Sequence, residues 1–316
     1  MPVLASFSAA VLPMLIYLLL IWLMDKYERE PMTFVLLHFL WGAFGAIALG
    51  LIGSLMLGDM TGIKDEGNGS IIQTIFFAPV SEEIAKGIFL LFTITSLKFD
   101  NITDGLVYGG AIGLGFGMTE NFSYFISYGD NPANWIFLVV VRTAFSAVMH
   151  CISTATFGAF LGLAKFSLSK FRSLFPIAGL LLAMFFHFMW NASVSFPNTF
   201  IYGFIFMLLL IFVFFAIFRL SIAYEKKIII KELSEESDLL LLPKEHIPII
   251  SSHLRLRKGW IDERIRKQYF RSAIKLAFAK MKTRKSDGYF HQQYLYEVEN
   301  NRQKIRALLA SINGNL

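Results

Sequence analysis

The most constraining feature of this sequence is the stretch Ile71–Lys98, an apolar run interrupted near its middle by Pro79-Val80-Ser81-Glu82-Glu83-Ile84-Ala85-Lys86. It is long enough to cross a bilayer, which takes about 20 residues at 1.5 Å rise each. Yet two carboxylates and an ammonium fall near its centre. On the insertion scale such a charge costs about 2.5–3.5 kcal/mol, and each Leu, Ile or Phe offsets only about 0.3–0.6. A membrane helix that keeps such groups turns them toward a partner or a wet cavity, so the stretch is a functional-site candidate. The alternative, a loop at Pro79 with the glutamates in water, leaves two halves too short to span.

The rest of the chain is of the same kind. Of its 316 residues 55% are hydrophobic and only 16% charged, with 33 Phe, the profile of a polytopic membrane protein. The net charge of +6 is uneven, with basic residues crowding after Arg219. On a membrane protein that reports cytoplasmic segments and anionic lipid, and no nucleic-acid partner is expected. A single cysteine, Cys151, excludes an internal disulfide and any multi-cysteine metal site. The first apolar run lacks a basic leading segment and is expected to stay as a span.

Seven apolar segments follow, near 6–24, 33–57, 71–97, 104–127, 135–164, 174–195 and 199–220. Lys26 and Arg29, Lys98, and Lys165, Lys170 and Arg172 mark alternate connectors as basic, whereas 58–70, 129–134 and 196–198 hold little positive charge. The positive-inside rule then puts the N-terminus outside and the C-terminus in the cytoplasm. The expected fold is an all-α, polytopic transmembrane helical bundle of about seven spans. A membrane domain takes residues 1–220, and a basic, helical cytoplasmic region takes 221–316. Within that region Trp260–Arg284 and Tyr289–Leu309 alternate basic and apolar residues at helical spacing, around a turn at Ser286-Asp287-Gly288. It packs as a small appendage or lies on the membrane surface, and is open to a cytoplasmic partner.

Two segments carry small residues every fourth position: Gly42, Ala46, Gly50 and Ser54, and Gly105, Gly109, Gly113 and Gly117. Such stripes let helix backbones approach closely in lipid. The second leads to Glu120 and presses that helix against a neighbour.

The polar groups inside the apolar segments are Glu82, Glu83, Lys86, Glu120, Asn121, Arg142, His150, His187 and Asn191. With the topology above, Glu82 lies roughly 16 Å below the outer end of its span, and His187 roughly 20 Å up from the inner end. The group gathers toward the middle and outer half of the bilayer. Glu82 and Lys86, and His187 and Asn191, are four apart and share helix faces. Glu82 and Glu83 point about 100° apart, so a single partner cannot face both squarely. One is expected on Lys86 and the other toward a cavity. A carboxylate there suits a general base for water, the imidazoles orient that water, bind a metal or protonate a leaving amine, and the Asn191 amide donates to an oxyanion. Lys86 and Arg142 are counter-ions for the glutamates. No His-Glu-x-x-His zinc motif is present, and neither a Gly-x-Ser-Gly nor a Gly-x-Gly-Asp intramembrane motif.

The ordered motifs resemble the PrsW family of intramembrane proteases, within the broader group of CAAX prenyl proteases and bacteriocin-immunity proteins. They are Glu82-Glu83-Ile84-Ala85-Lys86, Asp104-Gly105-Leu106-Val107-Tyr108-Gly109, Gly113-Leu114-Gly115-Phe116-Gly117-Met118-Thr119-Glu120-Asn121, His150, and His187-Phe188-Met189-Trp190-Asn191. The early Asp25-Lys26-Tyr27-Glu28-Arg29-Glu30-Pro31 is similar to the family's acidic first loop, and the resemblance runs from about Asp25 to Arg219. It implies a multi-pass protein of the cell membrane, an endopeptidase that cuts membrane-anchored proteins. Carried over by position, Glu82 is the base with Glu83 beside it, while His150, His187 and Asn191 assist. Lys86, Glu120, Asn121 and Arg142 support them. A divalent metal such as zinc would be held among His150, His187 and Glu120; glutamate-only chemistry suits the same set. A proton- or cation-coupled transporter using the same Glu/His cluster is the rival from another class, and a non-catalytic scaffold the third.

Overall fold

The computed structural model describes residues 2–63, 66–99 and 101–313, and every regular element among them is a helix. The chain forms two compact units. The first takes in most residues up to Phe218; the second is built from Arg219 onward, with the short stretches Lys26–Glu28 and Phe166–Leu168.

The long helices begin with α1 (Val3–Met24), α2 (Met32–Thr61), α3 (residues 68–93) and α4 (Ile102–Ser127). They continue with α5 (Pro132–Lys165), α6 (Leu174–Ser195) and α7 (Phe200–Asp238). They correspond to the seven expected apolar segments. Length and apolarity qualify five helical stretches, α1, α2, α5, α6 and the one holding α7, to cross a membrane. The two helices outside that five are rich in charge: α3 holds Glu82, Glu83 and Lys86, and α4 holds Asp104 and Glu120.

Burial follows from composition. On α1 the buried residues are Ser6, Ala10, Met14, Leu18 and Ile21, a single stripe, while Leu12, Leu15, Ile16 and Leu19 stay exposed. An apolar surface of that kind is what lipid covers. In contrast, α4 is buried without a break from Thr103 to Gly117, and it is the centre of the unit. Asn101 caps it: its side chain accepts from the Asp104 backbone N–H at 3.0 Å, and its own N–H donates to Asp104 Oδ2 at 3.1 Å.

The glycine stripe determines how closely α4 packs. A Cβ on Gly105, Gly109 or Gly113 would run into the backbone carbonyls of Gly158, Thr154 or His150, and one on Gly117 would lie 2.9 Å from Ala147 Cα. The stripe therefore seats α4 on the face of α5 that carries His150. On its other side Gly115 meets the Phe39 backbone, and Gly42 of α2 meets Ile112. Gly50 of α2 lies against Glu82, whose Cγ a Cβ there would approach to 3.1 Å. Three helices loosen into a π-helical turn: α2 at Trp41–Ala46, α3 at Gln73–Phe77 and α5 at Arg142–Ser146. Such turns re-aim neighbouring side chains and recur at functional sites.

In the second unit α7 does not stop near 220 but continues to Asp238. No Gly or Pro occurs between Arg219 and Pro243, so nothing breaks the helix where its composition turns polar. After α8 (His246–Ile250), α9 (Glu263–Arg284) and α10 (Gly288–Asn313) cover the later expected helices. Much of their apolar surface turns inward, while Tyr289, Leu295 and Tyr296 of α10 stay exposed. Ile228, Ile229 and Leu233 of α7 pack with Ile250, Tyr269, Ala273, Leu276, Ala277 and Ile305 in one core. Glu236 of α7 accepts from Arg302 at 2.7 and 2.9 Å and pairs with Lys280 at 2.8 Å.

Candidate active site

The polar residues of α3, α4, α5 and α6 meet inside the first unit. Lys86 is fully buried, and Glu83 nearly so at 1% exposure. The Lys86 ammonium donates to Glu83 Oε1 at 2.8 Å and to His150 Nδ1 at 2.9 Å, lies 3.6 Å from Glu82 Oε2, and rests 3.9 Å over the Phe116 ring. Four neighbours thus hold a charge that would be costly alone.

The two imidazoles are fixed by these contacts. An ammonium has only donors, so His150 Nδ1 accepts and its Nε2–H donates to Glu120 Oε2 at 2.7 Å. Glu120 also pairs with Arg142 Nη2 at 2.7 Å. The guanidinium lies 3.6 Å over the Tyr124 ring, and its Nε donates to Asn121 Oδ1 at 3.1 Å. His187 Nδ1 donates to Glu83 Oε1 at 3.0 Å, while Thr154 Oγ1 donates to Glu83 Oε2 at 3.3 Å. The two rings meet edge to face at 4.7 Å.

That leaves one unresolved pair. With its proton on Nδ1, His187 turns a bare Nε2 toward Glu82 Oε2 at 3.8 Å. Glu82 Oε2 is buried and accepts no hydrogen bond. Two acceptors that face each other need a proton, a water or a cation between them. Zinc bonds to nitrogen and carboxylate oxygen run about 2.0–2.2 Å, so one ion can bridge acceptors at that separation. Glu82, His150 and His187 each offer a ligand atom within 4.8 Å of the other two. Two imidazoles and a carboxylate are a donor set that suits zinc and related divalent ions.

Every residue singled out in the sequence except Asn191 is tied into this network. Asn191 donates from Nδ2 to the Thr74 carbonyl at 2.9 Å, in the π-helical turn of α3. Lys86 and His187 each lie near both glutamates but face them unequally: Lys86 is 2.8 Å from Glu83 and 3.6 Å from Glu82, and His187 is 3.0 Å and 3.8 Å from the same pair. The metal-sized group contains Glu82 in place of Glu120, which sits on Arg142 and His150. Thr154, Phe116 and Tyr124 were not anticipated. Each lies four residues from a site residue (His150 or Glu120) on the same helix, the spacing that puts side chains on one face.

The profile of a family described as PrsW family intramembrane metalloprotease matches residues 30–218. The chain is 29% identical to Protease PrsW of Geobacillus kaustophilus over 181 residues, 57% of this chain and 75% of that one. Against Protease PrsW of Bacillus subtilis it is 30% identical over 170 residues, covering 53% and 72%. Against that of Clostridioides difficile the identity is 30% over 166 residues, covering 52% and 68%. No solved structure is a significant match. The matched region ends at Phe218, where the first unit ends.

Proposed function

The chain belongs to the PrsW family of intramembrane metalloproteases, and from that membership we propose how its own residues hydrolyse a peptide bond. It is a peptidase in a multi-pass membrane protein, and its substrates are membrane proteins. Glu82 is the carboxylate that activates water. The observation that carries this reading is its Oε2, buried without a hydrogen bond and facing the bare Nε2 of His187. Glu82 takes the proton of a water held between itself and the imidazoles, and returns it to the departing amine as the bond breaks.

Glu83 has a different task. With Lys86, Thr154 and His187 on its two oxygens, it orients His187 so that Nε2 faces Glu82. Glu120, held by Arg142, accepts from His150 Nε2–H and so fixes that ring with Nδ1 on Lys86. The Asn191 amide carries two N–H donors; one serves Thr74, and the other is available to the developing oxyanion. Glu82 Oε2 and His187 Nε2 would hold a divalent metal as they stand, and His150 would join them once Lys86 or Glu120 gives up one of its ring nitrogens. Such an ion supplies Lewis acidity and a more acidic water; with or without it, Glu82 is the carboxylate nearest the water.

Helices α1 to α6 and the part of α7 up to about residue 220 lie in the membrane, with α4 buried among its neighbours and α3 turning Phe76, Ile84, Leu91 and Phe92 outward to lipid. The N-terminus is outside, the C-terminal region is a cytoplasmic appendage open to a partner protein, and the site lies in the outer half of the bilayer. The positive charge of alternate connectors supports that orientation.

The test reconstitutes wild type, Glu82→Gln and His187→Ala in lipid, with and without chelator. Membrane-anchored proteins of the native host are then followed for new fragments by mass spectrometry. Fragments that vanish in both variants support the assignment. Cleavage that survives Glu82→Gln removes Glu82 as the base, and chelator sensitivity decides the need for metal.

A further inference from the structure

A cleft of about 200 Å³ opens in the second unit between the start of its α7 segment and the end of α9, lined by Tyr224, Lys227, Ile228, Lys231, Glu232, Met281, Arg284 and Lys285. Four cations there surround one carboxylate. Glu232 is itself spoken for, 3.0 Å from Arg284 and 3.6 Å from Lys280. Elsewhere in the unit buried or half-buried cations rest on carboxylates: Lys282 on Glu297, Arg302 on Glu236, Arg266 on Glu263. At the cleft Arg284 does so too, on Glu232 and Glu235, whereas the three lysines, of which Lys227 and Lys231 are exposed, do not. Among the described residues no carboxylate lies within 4.0 Å of Lys227, Lys231 or Lys285. Lys227 and Lys231 are moreover four apart on one helix, where like charges repel.

We propose that this cleft binds the phosphate of an anionic phospholipid headgroup. Amines and a guanidinium converging on one space are the donors that a phosphodiester takes. The cleft is smaller than the roughly 300–1,000 Å³ of drug-sized ligand pockets, a scale suited to a headgroup. Its apolar lining, the buried Ile228 and Met281 beside Tyr224, suits the glycerol carbons and not a bare inorganic ion. Its position along α7 points the same way. Apart from Arg219 and Ser221 that helix stays apolar to Ala223, and Tyr224 is the residue type that settles at the membrane interface. Lys227 and Lys231 follow Tyr224 by roughly 5 and 10 Å along the axis. The interfacial layer is about 5–8 Å thick on each side of the hydrocarbon, and lysine side chains reach back toward it.

The experiment uses the full chain in neutral detergent, with phosphatidylglycerol or phosphatidylcholine added in equal amounts, and counts retained lipids by native mass spectrometry. Wild type retains phosphatidylglycerol preferentially. Lys227→Gln/Lys231→Gln lowers that retention by roughly thirtyfold, as expected for two lysines at a lipid surface. The control Lys267→Gln/Lys304→Gln, which removes the same charge from exposed positions outside the cleft, leaves retention unchanged. Hydrogen exchange gives a second readout: phosphatidylglycerol slows exchange in 224–231 and 281–285 of wild type. Equal retention of the two lipids, or equal loss in the control pair, overturns the proposal. Protection of the same segments by inorganic phosphate as effectively as by phosphatidylglycerol makes this a free-anion site and overturns the lipid assignment.

Discussion

His187 donates from Nδ1 to Glu83 at 3.0 Å and thereby presents its other nitrogen to Glu82 at 3.8 Å. Adjacent glutamates on one helix turn are thus divided into a carboxylate that orients the imidazole and one left without a hydrogen bond. The division explains why a Glu-Glu pair belongs here: the residues point about 100° apart, and one ring bridges the difference.

The same division separates the effects of two conservative substitutions. Glu82→Gln removes the proton acceptor and leaves the buried pairs of Glu83 intact. Cleavage falls by about 10²–10⁴, while the thermal unfolding midpoint in detergent stays close to wild type. Glu83→Gln leaves the fully buried Lys86 without its 2.8 Å partner, and breaking a buried pair costs about 3–5 kcal/mol. That variant loses both cleavage and stability. Equal stability loss in both would contradict the division.

Two glycines of α4 separate packing from helix propensity. A Cβ on Gly113 would overlap the His150 carbonyl, whereas one on Gly110 would meet only side-chain atoms of Cys151 and Ile21, at 3.3 Å. Gly113→Ala should cost about 1–3 kcal/mol through overpacking and, by moving His150, reduce cleavage. Gly110→Ala should be neutral within about 1 kcal/mol, because the gain in helix propensity offsets the tighter contact. Unfolding midpoints and fragment yields of the pair check both.

Much of this arrangement is legible in the sequence, for a physical reason. Charges inside an apolar segment are so costly that Glu82, Glu83, Lys86, Glu120 and Arg142 stand out without any structure, and the glycine spacing announces a close helix contact. What stays hidden depends on which atoms meet. Thr154, Phe116 and Tyr124 are ordinary membrane-helix residues until Glu83, Lys86 and Arg142 are seen against them. Asn191 has the right spacing from His187, yet its amide reaches a carbonyl of the π-helical turn in α3, which no periodicity predicts. The continuation of α7 to Asp238 is masked by a change in composition. Charge density jumps after Arg219, but helical continuity depends on the absence of Gly and Pro, and neither occurs before Pro243.

Metal content distinguishes the two carboxylates that compete as ligands. If Glu82, His150 and His187 hold the ion, then His187→Ala and Glu82→Ala lose bound zinc outright. Glu120→Gln, which removes only a partner of His150, weakens affinity by about 10–100-fold. Protein equilibrated against zinc buffers and assayed by elemental mass spectrometry reads the difference. Retention of zinc by Glu82→Ala together with its loss from Glu120→Gln would transfer the ligand role to Glu120.

In the polar part of α7 beyond its apolar segment, Glu236 makes the second unit sensitive to acid. Burial pushes its carboxyl up, but hydrogen bonds from Arg302 and Lys280 outweigh that and hold it below its ordinary value of 4.5. A carboxylate depressed in the folded state contributes stability that is complete above the ordinary value and is lost as pH falls through the lower, folded one. Glu232 acts in the opposite sense, since burial raises it above the ordinary value. Its protonation therefore favours the fold as the solution is acidified and partly offsets the loss at Glu236. In the full chain in detergent, hydrogen exchange in 228–238 and 298–306 should be slow at pH 7 and accelerate below about pH 4.5, beyond the intrinsic change with pH. Glu236→Gln should exchange faster than wild type at pH 7, because Arg302 and Lys280 have lost their shared anion, and should show little further change on acidification. An acid response of the same size in Glu236→Gln would assign the sensitivity to other carboxylates of the unit.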